Sequence, residues 1–353
     1  TYKQVNLFIV GTGNVGAKFL GQLQQQLGYL LQQLHLQVRV VGLSNSRKML
    51  LNEEGIDLSN WKEKLDAGES ANLSQYVSEI IGRNLRNTIF VDITANDQVA
   101  SVYDQLLKKS VSVVACNKVA ASSAYTNYKK LKDLAREYNC QFLFETNVGA
   151  GLPVIATLND LVSSGDRVHR MQAVLSGTLN FVFNNYDGTR RFADVVKQAQ
   201  EEGYTEPDPR LDLGGVDVMR KIMILARETG QVIEMDNIDN NSFMPASCMQ
   251  GSVDDFYREM AKEEAHFKAL LDKANTAGCK LKFVASYDNG KAAVGLQHID
   301  PSHDLYHLYG KDNVVLFYTD RYKDQPMVVK GAGAGADVTA SGVFADVIRA
   351  SKA

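Results

Sequence analysis

Residues 5–20 read VNLFIVGTGNVGAKFL, and this stretch decides the fold. An apolar run, 5–10, ends directly on Gly11, and residues 14–30 carry apolar side chains at helical spacing. Between them Gly11, Thr12, Gly13, Asn14, Val15 and Gly16 fit G-x-G-x-x-G in the strand, turn, helix setting that gives the pattern meaning. Gly11 permits the tight turn, Gly13 lets a pyrophosphate approach the backbone, and Gly16 lets helix and strand pack closely. Amides at the helix N-terminus then face the phosphate charge. The plainer alternative is a glycine-rich loop without a ligand, but strand, spacing and helix agree on a dinucleotide.

A second apolar run, 36–43, follows the helix, and its end selects the cofactor. An acidic residue there would accept hydrogen bonds from the ribose hydroxyls of NAD. The segment instead reads Ser44-Asn45-Ser46-Arg47-Lys48, with hydroxyls and two cations suited to a 2′-phosphate, so NADP(H) is preferred over NAD(H). Arg47 and Lys48 could otherwise be a solvated helix start. Further apolar runs at 88–93, 111–115 and 141–144, separated by helix-prone stretches such as 125–138, predict right-handed crossovers. Residues 1–150 are therefore expected to form an α/β domain, a Rossmann-type doubly wound parallel sheet.

After Gly149-Ala150-Gly151 the pattern changes. A strand at 167–175 precedes helical stretches at 192–202, 216–228 and 253–277, and strands return at 280–287, 291–298, 314–318 and 327–330. Residues 151–335 are expected to be a second, mixed α+β domain. A helix at 337–350 follows the glycine-rich 331–335, and 336–353 should pack back on the first domain.

The 353 residues are 45% hydrophobic and 22% charged with a net charge of −3, which gives no general attraction to nucleic acid or anionic membrane. Cys116, Cys140, Cys248 and Cys279 form no C-x-x-C pair, and reduced thiols in a cytoplasmic protein are expected. His35, His169, His266, His298, His303 and His307 show no ligand spacing; His303 and His307 read as solvated. No apolar run is long enough to span a bilayer. The chain opens at Thr1 without a methionine, which suggests a piece of something longer.

The segment 199–221, AQEEGYTEPDPRLDLGGVDVMRK, carries chemistry. The prolines of Glu206-Pro207-Asp208-Pro209 hold an acidic loop out of helix, Asp212 lies just beyond, and Asp217 and Lys221 share one face of the next helix. Carboxylates suit a substrate amine, and a lysine can donate a proton to a carbonyl being reduced. On composition alone Asp217 and Lys221 would be an ordinary surface pair. Lys118, after an apolar strand and Asn117, is placed at the carboxyl end of the parallel sheet, where ligands bind; a solvated loop lysine is the alternative. Gly177-Thr178, at a strand end, could offer an amide and a hydroxyl to substrate or merely cap a helix. Residues 145–152 read as a glycine hinge.

The 199–221 segment resembles the homoserine dehydrogenase signature at Ala199, Gly203, Tyr204, Thr205, Asp208, Pro209, Asp212, Leu213, Gly215, Asp217 and Lys221. Similar blocks recur at Val91-Asp92, Asn117-Lys118, 146–153, 175–180 and 331–335, so the likeness spans nearly the whole chain. It is strongest to fused aspartokinase–homoserine dehydrogenases, although no kinase motif is present. The resemblance implies NADPH-dependent, reversible reduction of L-aspartate 4-semialdehyde to L-homoserine, on the route to threonine, methionine and isoleucine. It implies proton transfer by Lys221, shared with Lys118, and substrate binding by Glu206, Asp217, Asp212, Gly177 and Thr178. Cofactor contacts would come from Gly11, Thr12, Gly13, Asn14, Val15, Gly16, Ser46, Arg47, Lys48, Thr94 and Lys118. A sodium or potassium ion would lie on main-chain oxygens of Glu145, Val148, Ala150 and Leu152, and residues 151–335 would serve substrate binding and dimerisation, giving a homodimer or larger assembly. One departure is Leu211, where such proteins commonly carry a carboxylate, which predicts weaker substrate affinity. The rival readings are another NAD(P)-dependent dehydrogenase and a non-catalytic NADPH sensor; the 199–221 segment opposes the first and the four intact polar residues Lys118, Glu206, Asp217 and Lys221 oppose the second.

Overall fold

A computed structural model describes residues 1–353. They divide into two compact units, Thr1–Gly151 with Ala334–Ala353, and Leu152–Gly333.

The first unit runs β1 (Lys3–Val10), α1 (Asn14–Leu34), β2 (Leu36–Ser44), β3 (Lys48–Leu51), α2 (Trp61–Asp66), β4 (Glu69–Ser70), α3 (Leu73–Arg83), β5 (Thr88–Asp92), α4 (Asp97–Ala100), α5 (Tyr103–Leu107), β6 (Ser112–Ala115), α6 (Tyr125–Glu137), β7 (Phe142–Leu143) and α7 (Thr146–Gly149). Its seven strands are ordered β4-β3-β2-β1-β5-β6-β7. From β2 to β7 all pairings are parallel. The apolar strands β1 and β5 are buried along nearly their whole length, as a sheet covered on both faces requires. Beyond β2 the sheet departs from the expected all-parallel form, because β3 and β4 add antiparallel strands at its edge. Lys48 therefore opens a strand, and the helix start considered for Arg47 and Lys48 does not form. Asn45 explains the reversal: its side-chain oxygen accepts from the amides of Arg47 and Lys48 at 2.8 and 2.7 Å, closing a tight turn. The helix Ala336–Lys352 packs on α1, placing Ala340, Val343, Phe344 and Val347 in the core that contains Phe19 and Leu23.

The second unit runs α8 (Val154–Ser163), β8 (Val168–Val174), α9 (Gly177–Asn185), α10 (Phe192–Glu201), α11 (Arg210–Leu213), α12 (Val216–Glu228), β9 (Ile238–Asn241), α13 (Val253–Lys262), α14 (Glu264–Thr276), β10 (Lys280–Asp288), β11 (Lys291–Ile299), β12 (Asn313–Thr319) and β13 (Met327–Gly331). These strands form a mixed sheet in the order β13-β12-β8-β10-β11-β9, with only β9 and β11 parallel. The single helix expected over 253–277 is two, broken at Glu263. Ser252 begins the first with a capping box, accepting from the Asp255 amide while the Asp255 carboxylate accepts from the Ser252 amide. His303 is not solvated: its ring meets the Gln172 side chain at 3.1 Å and accepts from the Leu305 amide.

Candidate active site

In the first unit the chain turns from β1 into α1 with Gly11 at φ +106, where a side chain would be strained. A Cβ there would lie 2.3 Å from the Ile93 carbonyl oxygen, and one at Gly16 would lie 2.2 Å from the Gly11 carbonyl oxygen. Both glycines are fixed by close packing. Gly13 differs: a Cβ would meet nothing within 4 Å, so the open side of the turn is free to admit a ligand against backbone. Gly13 is also the N-cap of α1 and offers no side-chain cap, leaving the first-turn amides of Asn14, Val15 and Gly16 outside any side-chain capping bond. Thr12 is half-buried beside them. A pyrophosphate fits this cradle by charge and by space. The Gly11 amide donates to the Ser44 carbonyl at 2.8 Å, which ties the cradle to the β2–β3 turn carrying exposed Ser46 and Arg47. Lys48 reaches back to the Gly68 carbonyl at 3.4 Å.

The carboxyl ends of β5 and β6 are joined through a buried carboxylate that sequence reasoning did not single out. Asp92 accepts from the Thr94 amide and hydroxyl at 2.9 and 2.7 Å, from Asn117 Nδ2 at 3.0 Å and from the Tyr103 hydroxyl. Burial pushes its carboxyl upward while these donors pull it back down. Asn117 also donates to the Asn96 carbonyl at 2.9 Å. Thr94 and Lys118 thus stand on loops pinned to one fully buried side chain. A polar residue closing an apolar strand at 92 was the available signal.

Glu145, Val148 and Ala150 close this unit, and Leu152 opens the next. The Glu145 side chain is 2% exposed, its amide donates to Asp346 at 2.9 Å, and Arg349 lies 3.9 Å from its carboxylate. Residues 146–149 form a helical turn, and Ala150 leaves it at φ +53. No group of three or more His, Cys, Asp or Glu side chains is arranged to hold a metal ion. A cation on this segment would depend on carbonyl oxygens, the donor type hard cations take.

In the second unit the acidic loop and the lysine come together. Gly215, at φ +78, caps α12, and Asp217 lies in the helix's first turn, where the dipole favours its charge. Lys221, one turn on, is only 9% exposed. Its ammonium lies 3.2 Å from Asp217 Oδ2 and donates to the Leu175 carbonyl at 2.9 Å. The two do form the i,i+4 ion pair considered for them, but its lysine is buried while the Asp217 side chain is 40% exposed. Gly177 and Thr178 form the first turn of α9 and are not its cap; Ser176 takes that role, accepting from the Leu179 amide. The Thr178 hydroxyl donates to the Tyr204 carbonyl and lies 3.5 Å from Asp212 Oδ1. The other oxygen of Asp212 accepts from the Glu206 amide at 2.9 Å.

Burial, chiefly, pushes the Asp212 carboxyl up to about 6, with the charges of Glu206 and Asp217 adding to the rise. Glu206 is exposed at the loop's tip. Asp208, by contrast, is committed to Arg210, which grips it through two nitrogens at 2.9 and 2.8 Å and also donates to the Gly251 carbonyl. Its carboxyl is held low by that guanidinium. Leu211 is 62% exposed and contributes no acidic group.

A dinucleotide cradle on one unit, and on the other a buried ammonium paired with Asp217, are the equipment of a nicotinamide-dependent oxidoreductase acting on a C–OH group. Comparison with known proteins narrows this class. Residues 153–348 match the family model described as homoserine dehydrogenase, and residues 11–145 match its NAD-binding domain. The chain belongs to the homoserine dehydrogenase family.

The chain is 42% identical to bifunctional aspartokinase/homoserine dehydrogenase 1, chloroplastic, of Zea mays, over 97% of this chain and 38% of that one. It is 37% identical to the bifunctional aspartokinase/homoserine dehydrogenase of Haemophilus influenzae, over 98% of this chain and 43% of that one. It therefore spans well under half of these relatives. Among solved structures, a Candida auris protein of unknown function superposes with a TM-score of 0.92 at 32% identity, covering 99% of both chains. A hyperthermophilic archaeal homoserine dehydrogenase in complex with NADPH shares the fold at a TM-score of 0.76 and 24% identity, covering 99% of this chain and 98% of that one.

Proposed function

We propose that the chain catalyses the reversible reduction of L-aspartate 4-semialdehyde to L-homoserine with NADPH, with Lys221 exchanging the proton at the reacting oxygen. The observation that carries this reading is the buried Lys221 ammonium, bonded to Asp217 and the Leu175 carbonyl. When bound, the reduced nicotinamide supplies the hydride to the carbonyl carbon. The oxygen gains a pair of electrons as the C=O π bond breaks, and an ammonium proton of Lys221 satisfies it; the resulting amine regains a proton from solvent. General acids so placed contribute about 10²–10⁴ in rate. Asp217 keeps Lys221 charged and oriented, and Glu206 with Asp212 binds the substrate's amino group. Gly177 and Thr178 add an amide and a hydroxyl to the substrate contacts, and the Thr178 hydroxyl also holds the Tyr204 carbonyl. Lys118, on the first unit, shares in proton transfer or neutralises an anionic group.

NADP(H) is the preferred cofactor in this reading. Gly11, Thr12, Gly13, Asn14, Val15 and Gly16 take the pyrophosphate, Ser46, Arg47 and Lys48 take the 2′-phosphate, and Thr94 and Lys118 flank the nicotinamide end. A sodium or potassium ion on the carbonyls of Glu145, Val148, Ala150 and Leu152 would stiffen the 145–152 segment. The full-length protein carries an aspartokinase, as its relatives' names state, assembles at least as a dimer and works in the cytoplasm. No helix is long and apolar enough to cross a membrane.

Steady-state oxidation of L-homoserine with NADP⁺ and NAD⁺ in parallel tests the reading. Turnover with a higher kcat/KM for NADP⁺ is expected. Absence of turnover with either nucleotide, in protein that binds NADPH, would replace it with a non-catalytic nucleotide sensor.

A further inference from the structure

β10 is an interior strand of the second sheet, yet it carries a lysine, Lys282, that is 1% exposed. Its neighbours Leu281, Phe283 and Val284 are buried apolar residues. Desolvating an ammonium there costs more than a leucine would, unless every proton is used and the position gains something else. Every proton is used. Lys282 Nζ donates to Asn180 Oδ1 at 2.9 Å, to Asn184 Oδ1 at 2.8 Å and to the Leu308 carbonyl. Burial, with the nearby Lys280 charge, lowers its pKa to about 8.

Asn180 and Asn184 are four apart on one face of α9, and each has a second bond. Asn180 Nδ2 donates to the Asp312 carbonyl at 3.2 Å, and Asn184 Nδ2 to the Leu308 and Gly310 carbonyls at 3.1 and 3.0 Å. Lys282 thus joins three pieces: a central strand, the helix α9 and the loop 308–312. Both joined pieces reach the substrate machinery. The first turn of α9 bears Thr178, which holds the Tyr204 carbonyl, and a Cβ on Gly177 would lie 2.9 Å from the Lys311 carbonyl oxygen. The Lys311 ammonium stands 4.3 Å from the centre of the Tyr204 ring, and Phe181 of α9 packs edge-on against that ring at 5.0 Å.

We propose that Lys282 is a positioning residue for the substrate site: its three bonds fix α9 and the loop 308–312 as one body, which in turn fixes Tyr204 and the acidic loop from Glu206 to Asp212. This rests on the reading of that loop as the binder of homoserine. Lys282 is 1% exposed with all three protons engaged within the protein, so its loss should loosen substrate binding and leave nucleotide binding on the other unit intact.

Three measurements on Lys282→Met and Asn184→Asp test this. The second variant keeps an acceptor for Lys282 and removes the donor to Leu308 and Gly310, so it decides the matter if Lys282→Met does not fold. The KM for L-homoserine should rise about tenfold in Lys282→Met and less in Asn184→Asp, with kcat and the NADPH Kd changed less than about threefold. Amide hydrogen exchange over residues 203–212 should quicken in both. An unchanged KM, with activity lost only in proportion to unfolded protein, would overturn the proposal, as would unchanged exchange over 203–212. Exchange is read without turnover: if the wild-type chain fails to oxidise homoserine, the functional reading falls and the exchange comparison still decides the role of Lys282.

Discussion

Gly13 and Asp212 are the residues at which this account is easiest to break. Gly13→Ala adds a methyl into open space, so the fold should keep its Tm to within about 2 °C while NADPH binding weakens at least tenfold, because the methyl stands where phosphate would approach. Gly11→Ala should do both kinds of damage, since its methyl meets the Ile93 carbonyl and its φ is +106. Nucleotide titration and thermal melting of the two variants separate the cases; equal destabilisation by both would argue against an open cradle.

Asp212 makes a pH prediction. Its carboxyl is raised from 3.8 to about 6, so folding disfavours its charged form. The neutral form's stabilising contribution is complete below about 3.8 and is lost as pH rises through about 6. Substrate binding runs the other way, since an amine needs the carboxylate. The KM for homoserine should climb as pH falls below about 6, and this limb should vanish in Asp212→Asn, which pH profiles of both proteins would show.

Among the elements, the β2–β3 turn shows what a sequence conveys and what it hides. The glycine turn was legible because strand, spacing and helix are contiguous and each obeys its own periodicity, whereas the 199–221 segment was legible through its resemblance to a family signature. β3 was not, being four residues long and polar at its start, with its direction set by Asn45. The pairings within the buried polar clusters were also invisible, although Asp92 itself closes an apolar strand. Asp92 is 25 residues from Asn117, and Lys282 is 102 from Asn180, so only the folded chain shows that they meet. Asn45→Ala removes two hydrogen bonds that shape the turn, worth about 1 kcal/mol each. The Kd for NADPH should rise roughly five- to thirtyfold, with NADH affected less because it lacks the 2′-phosphate. Equal weakening of both would place the 2′-phosphate elsewhere.

Taken whole, the molecule is two separately cored units, the first completed by the far end of the chain. Ala340, Val343, Phe344 and Val347 of the last helix are buried in that core, with Phe344 edge-on to Phe19. Removing residues 334–353 exposes these apolar partners, and about 2–5 kcal/mol for each large side chain exceeds what one domain can lose. NADPH binding should disappear in such a truncation, together with the melting transition of the first unit. Retention of full nucleotide affinity would contradict the role given to this helix.

Lys221 as the proton donor is the central claim, and a single-turnover experiment addresses it most directly. Lys221→Met with saturating NADP⁺ and L-homoserine, followed by nicotinamide absorbance, should show nucleotide binding like the wild type and a hydride-transfer rate lower by about 10²–10⁴. A rate within a few-fold of the wild type would move the proton to another group and remove Lys221 from the chemistry.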